Sequence, residues 1–167
     1  MLDPILRRWA LAALLASAAM LAVAHASETF GHLSPCTLCL QQRQVYWVAL
    51  AVAAAGVAAD LTPLKGVLGR LICLVLALTF AVGMAIAAYH AGAEWKWWPG
   101  PAACSSSGGG VSAASMAALL QGAKISAPHC DEAAWRGLGL SMAGWNVLVS
   151  AGLMIASLLA AVRKERR

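Results

Sequence analysis

Cys36 and Cys39 stand two residues apart in Ser34-Pro35-Cys36-Thr37-Leu38-Cys39-Leu40-Gln41-Gln42-Arg43, at the entrance to a long apolar run. On a helix this spacing puts both sulfurs on one face. Ser34 as a cap, with Pro35 in the first turn, predicts that Cys36 sits among unpaired backbone N–H groups. Those groups and the helix dipole favour a thiolate, the form of cysteine that attacks disulfides. Arg43 shares the same face, ~10 Å further along at ~1.5 Å per residue. A charge at the bilayer centre costs ~2.5–3.5 kcal/mol, and less near the interface. Two roles are open to Arg43: snorkelling to the headgroups, or stabilising a Cys39 thiolate and a carbonyl of a lipophilic oxidant.

Three more cysteines follow: Cys73, Cys104 and Cys130. Cys73 lies within an apolar stretch and reads as a small buried hydrophobe. Disulfides persist outside the cytoplasm, so pairing within each outer loop is sensible. Three readings compete for the four outer cysteines. A structural staple suits Cys104 and Cys130 but not Cys36 and Cys39, whose bond would close almost no loop. A zinc site has half its ligand set in Cys-x-x-Cys and lacks an adjacent second half, so no metal is expected. Haem attachment needs a histidine where Leu40 stands. Redox exchange uses both pairs. Repeated turnover then needs an acceptor for two electrons. With no glycine-rich dinucleotide fingerprint and no clustered histidines, a lipid-dissolved quinone is the acceptor expected.

The elements that carry these residues are membrane helices. Of 167 residues, 61% are hydrophobic and 11% charged, unlike a soluble domain. Apolar blocks long enough to cross a bilayer, which takes ~20 residues, run at about 9–26, 35–59, 67–90 and 142–162. They predict an all-α membrane protein: a four-transmembrane-helix bundle forming a single domain over 1–167. Outer loops lie at about 27–34 and 91–141. The second loop carries three tryptophans in Glu94–Trp98, the tract Ser105–Gly110, and a short amphipathic helix over Val111–Gln121. Arg7-Arg8 with Ala24-His25-Ala26 has signal-peptide character, but the run is long for one, so an uncleaved span is expected. The net charge of +5 concentrates at Arg7, Arg8, Lys65, Arg70 and the basic C-terminus, all on one side if the helices alternate. The positive-inside rule places both termini in the cytoplasm. Basicity here is an orientation signal and gives nucleic acid no role.

Together these residues resemble the bacterial disulfide bond formation protein B (DsbB) family over nearly the whole chain. The likeness rests on Leu33–Cys39 with Arg43, on Pro99-Gly100-Pro101 before Cys104, and on Cys130 followed by Trp135–Leu140. It implies an inner-membrane disulfide:quinone oxidoreductase. By resemblance, a Cys104–Cys130 disulfide would oxidise a periplasmic thioredoxin-like partner of the DsbA type. Cys130 would then exchange with Cys36, and electrons would leave through Cys39 to ubiquinone or menaquinone, with Arg43 assisting. His90 is the candidate for a family histidine beside the quinone. Vitamin K epoxide reductase-like proteins also combine four helices with Cys-x-x-Cys, but there the extra pair precedes it. A disulfide-stapled membrane scaffold or a thiol-dependent metal carrier is the alternative without turnover.

Overall fold

The computed structural model describes residues 8–33, 35–63, 65–101 and 130–163, with the backbone alone at Lys65. Cys104, the Ser105–Gly110 tract, the helix expected over Val111–Gln121 and Ser34 lie outside the described residues.

Four helices dominate: α1 (Trp9–Thr29), α2 (Thr37–Ala59), α3 (Lys65–Glu94) and α4 (Met142–Val162). Among the described residues, α1, α4 and the Gly66–Glu94 part of α3 are long and apolar enough to cross a membrane. α2 has 23 residues, which at ~1.5 Å each is enough to span, but Gln41-Gln42-Arg43-Gln44 near its head lowers its hydropathy. The thirty residues of α3 make it the longest helix and carry His90 and Glu94 at its far end.

α3 packs along both α4 and α2, and α2 along α1. Alanine makes this possible: Ala13, Ala49 and Ala53 are fully buried between helices, around Leu76, Phe80 and Tyr46. Side-chain contacts fix the relative directions. At one end, the Trp9 Nε1–H of α1 donates to Ser157 Oγ near the end of α4 (2.9 Å), and Ser157 in turn donates to Leu153 O. At the other end Arg43, early in α2, reaches Ala24 late in α1, and Cys36 meets His90 late in α3. The helices therefore alternate. The outward faces present Leu15, Leu71, Leu78, Leu148 and Ile155 to the surroundings, the surface a lipid phase covers.

The expected all-α fold needs one amendment. Arg136–Gly137 (β1) pairs antiparallel with Leu140–Ser141 (β2), Gly137 opposite Leu140. Leu138 (φ 53°) and Gly139 (φ 83°) form the two-residue connection. Both central residues need positive φ, the requirement of the tight hairpin turn whose twist matches paired strands. Glycine meets it without strain, whereas Leu138 adopts a region that bulky residues rarely visit. Ser141 then caps α4, accepting the Gly144 N–H at 3.1 Å.

Candidate active site

Cys36 itself is the N-cap of α2, which corrects the expectation of a cap at Ser34. The helix starts at Thr37, with Pro35 ahead of it rather than in its first turn. Cys36 Sγ accepts the Cys39 N–H at 3.3 Å, so the sulfur takes the place a serine oxygen usually fills. The two sulfurs are 3.0 Å apart, and both cysteines are free thiols. The Cys39 side chain hydrogen-bonded to it holds the Cys36 thiol well below its ordinary range; burial opposes this, and His90 assists.

Cys130 is disulfide-bonded and fully buried. Its sulfur, that of Cys36 and a His90 ring nitrogen all lie within 4.8 Å of one another. Leu38, Cys39 and Ile86 surround them. A sulfur already in a disulfide offers no thiolate to a metal, so in this state the trio suits thiol–disulfide exchange better than metal binding. Next to Cys130, Asp131 Oδ2 pairs with Lys96 Nζ just beyond α3 (2.7 Å). Trp145 Nε1–H also donates to Gly137 O (3.0 Å), tying the hairpin to α4.

His90 is buried beside Cys36, its Nε2 3.6 Å from the sulfur and 3.7 Å from Glu94 Oε1. Glu94 Oε2 is buried with no hydrogen-bond partner among the described residues. The other ring nitrogen, Nδ1, lies 2.9 Å from Gln42 Nε2. From Gln42 the contacts continue through Asn146, whose Nδ2 donates to Gln42 Oε1 and whose Oδ1 accepts from Tyr46 OH. Ser150 Oγ completes the group, 3.1 Å from Tyr46 OH.

Arg43 turns toward α1. Its Nη1 pairs with Glu28 Oε2 at 2.6 Å and its Nη2 donates to Ala24 O at 3.0 Å. Only 14% of its side chain is exposed. Both partners lie near the C-terminal end of α1. Glu28 stands at the C-terminal end of α1, where the helix dipole disfavours an anion, so Arg43 offsets a local penalty there.

Arg43 also lines a cavity of about 130 Å³, whose wall includes Met20, Leu21, Leu33, Cys39, Tyr46 and Met142. Apolar atoms dominate that wall, with Gln42, Arg43 and Asn146 supplying convergent polar groups. An engineered apolar cavity of about 150 Å³ admits benzene, so this space is of the right order for one six-membered ring. Cys39 reaches this wall, while His90 lies outside it.

Residues 6–160 match the family described as "Disulfide bond formation protein DsbB". The chain belongs to the DsbB family. It is 30% identical over 154 residues to "Disulfide bond formation protein B" of Dechloromonas aromatica (strain RCB), covering 88% of this chain and 87% of that protein. No solved structure gives a significant match. Membership makes this a membrane protein of disulfide bond formation with oxidoreductase character.

The structure brings Cys36, Cys39, Cys130 and His90 together and sets Arg43 on the adjoining cavity; Cys104 lies outside the described residues. Cys73 sits in α3, packed against the core formed around Trp9 and Tyr46. Glu28, Gln42, Tyr46, Glu94 and Asn146 join the site although neither their types nor their spacing assigned them a role in it. A signal existed for Asn146, an amide in an otherwise apolar span, since polar groups within a membrane need partners.

Proposed function

We propose that the chain is an inner-membrane thiol oxidase that reoxidises a periplasmic thioredoxin-like protein of the DsbA type and passes the electrons to ubiquinone or menaquinone. The observation that carries this reading is the closeness of a free dithiol to a disulfide-bonded cysteine, with one thiol on the wall of an apolar cavity.

The electrons move in pairs. A partner thiolate attacks Cys104 of a Cys104–Cys130 disulfide, that bond breaks, and Cys130 leaves as a thiolate. The partner's second thiolate resolves the mixed disulfide, so the partner is oxidised and both loop cysteines are reduced. Cys130 next attacks Cys36 of a Cys36–Cys39 disulfide, releasing the Cys39 thiolate. Cys104 resolves the Cys36–Cys130 bond and the loop disulfide is restored. Two electrons now rest on Cys36 and Cys39. Free Cys36 and Cys39 beside a disulfide-bonded Cys130 correspond to this stage.

A quinone in the cavity supplies the sink, taking two electrons and two protons to become the quinol. Cys39 faces that space and gives the electrons up as the Cys36–Cys39 bond reforms. Arg43 donates hydrogen bonds to a carbonyl held there, with Glu28 fixing its direction. His90, expected beside the carrier, is better placed to serve Cys36. The end holding the site faces the periplasm, and the end carrying Arg8, Arg70 and Arg163 faces the cytoplasm.

Serine variants test the relay. Cys36→Ser, Cys39→Ser, Cys104→Ser and Cys130→Ser each abolish oxidation of a reduced thioredoxin-like dithiol, whereas Cys73→Ser retains it. Near-wild-type turnover in any of the first four contradicts the scheme.

A further inference from the structure

The buried polar contacts from α4 to Cys36 have a direction, and it is set at the Cys36 end. At the Cys36 end, His90 Nε2 faces the Cys36 sulfur at 3.6 Å; that sulfur turns its own proton toward Cys39 Sγ and accepts the Cys39 N–H, so toward the ring it is an acceptor. Nε2 must carry the proton. The Nδ1 of the neutral ring is then an acceptor, and Gln42 must turn its NH2 toward it. That leaves Gln42 Oε1 to accept from Asn146 Nδ2, and Asn146 Oδ1 to accept from hydroxyls. At the far end, the hydroxyls of Tyr46 and Ser150 do converge on Asn146 Oδ1. Each link donates toward Cys36.

We infer that Gln42 and Asn146 are positioning residues, with Tyr46 and Ser150 sharing the far end, that hold His90 as the Nε2–H tautomer, so that it donates to the Cys36 sulfur. All five side chains are buried, where a reversed amide would place donor against donor or acceptor against acceptor. A ring donating through Nδ1 would require the Gln42 and Asn146 amides to reverse together, so the contacts as they stand hold Nε2 as the donating nitrogen. The groups facing the ring are Cys36, Gln42, Glu94 and Cys130, with Cys39 behind Cys36. Gln42, Tyr46 and Asn146 also line the cavity, so the locking residues form a wall shared by the cavity and the thiol site. The inference rests on Cys36 being the sulfur that exchanges with Cys130, but the tautomer is read without partner, quinone or turnover.

The test is a two-bond 1H–15N correlation spectrum of full-length, reduced, 15N-histidine-labelled protein, the His90 signals assigned by their loss in His90→Asn. The wild type should show a neutral Nε2–H ring. Gln42→Glu keeps the shape of the side chain but cannot donate, and should place a proton on Nδ1. Asn146→Leu frees the Gln42 amide and should give mixed tautomers. Tyr46→Phe leaves Ser150 Oγ, 3.4 Å from the same oxygen, and should preserve the wild-type pattern. A parallel readout is alkylation of Cys36 at pH 6, expected to slow about tenfold in Asn146→Leu, the scale of one lost hydrogen bond to a charged group. An Nδ1–H ring in the wild type overturns the inference. So does an unchanged tautomer in both Gln42→Glu and Asn146→Leu with native helicity, or a changed tautomer with unchanged alkylation.

Discussion

At Cys36 a sulfur occupies an N-cap, and its lowered pKa has a direct consequence. Acidification removes the thiolate only as pH falls through that lowered value, whereas an ordinary thiol near ~8.5 already loses about tenfold per unit below it. Alkylation of Cys36 should therefore stay nearly level from pH 8 to 6 while that of a free cysteine falls; parallel decline would contradict the lowering by the Cys39 thiol and His90. Arg43 offers a second check. Arg43→Ala should raise the apparent KM for a soluble quinone about tenfold or more, the scale of one charge-assisted hydrogen bond, with helicity preserved. Glu28→Gln should reproduce part of that effect by loosening the guanidinium. Unchanged quinone kinetics in both would leave the ion pair a purely structural tie between α1 and α2. The thiol pair and the arginine were legible because their spacing is itself chemical information. Glu28, Gln42 and Asn146 were not, since one letter in an alanine-rich run does not say which helix faces it.

The helices position the site by their ends. The last turns of α3 bring His90 and Glu94 to Cys36, and Trp98 folds back over that segment, its Nε1–H donating to Tyr89 O at 2.9 Å. Its ring stacks on Tyr89 and lies so close to Gly92 that a Cβ there would fall 2.0 Å from a ring carbon. Gly92→Val should displace Trp98, lower the thermal midpoint by several degrees and slow thiol exchange, read by melting and by partner oxidation. A wild-type melt would show that the ring moves aside freely. Hydropathy made three helices plain, and α2 was read as a span despite the glutamines and arginine at its head. Those same polar residues serve the cavity and the His90 contacts, so what weakens the apolar signal is what the site uses. The start of α2 was misplaced because Ser34-Pro35 looks like a cap motif, while the local geometry gives that position to Cys36. The hairpin at Leu138-Gly139 escaped notice because leucine is a poor indicator of positive φ.

At the scale of the whole molecule, alternation of four helices collects the ends of α1 and α3 with the starts of α2 and α4 around the sulfurs and the cavity. The opposite end gathers Arg8, Arg70 and Arg163. Disulfides persist on oxidising faces, and the proposed orientation, with this basic end in the cytoplasm, puts the sulfurs on such a face. The most direct measurement mixes the purified protein anaerobically with a reduced thioredoxin-like dithiol and a soluble quinone, following quinol and partner disulfide together. One quinol should form for each partner disulfide, with none in Cys39→Ser. Partner oxidation without quinol, or quinol without partner oxidation, would contradict the coupling of the two sulfur pairs to the cavity.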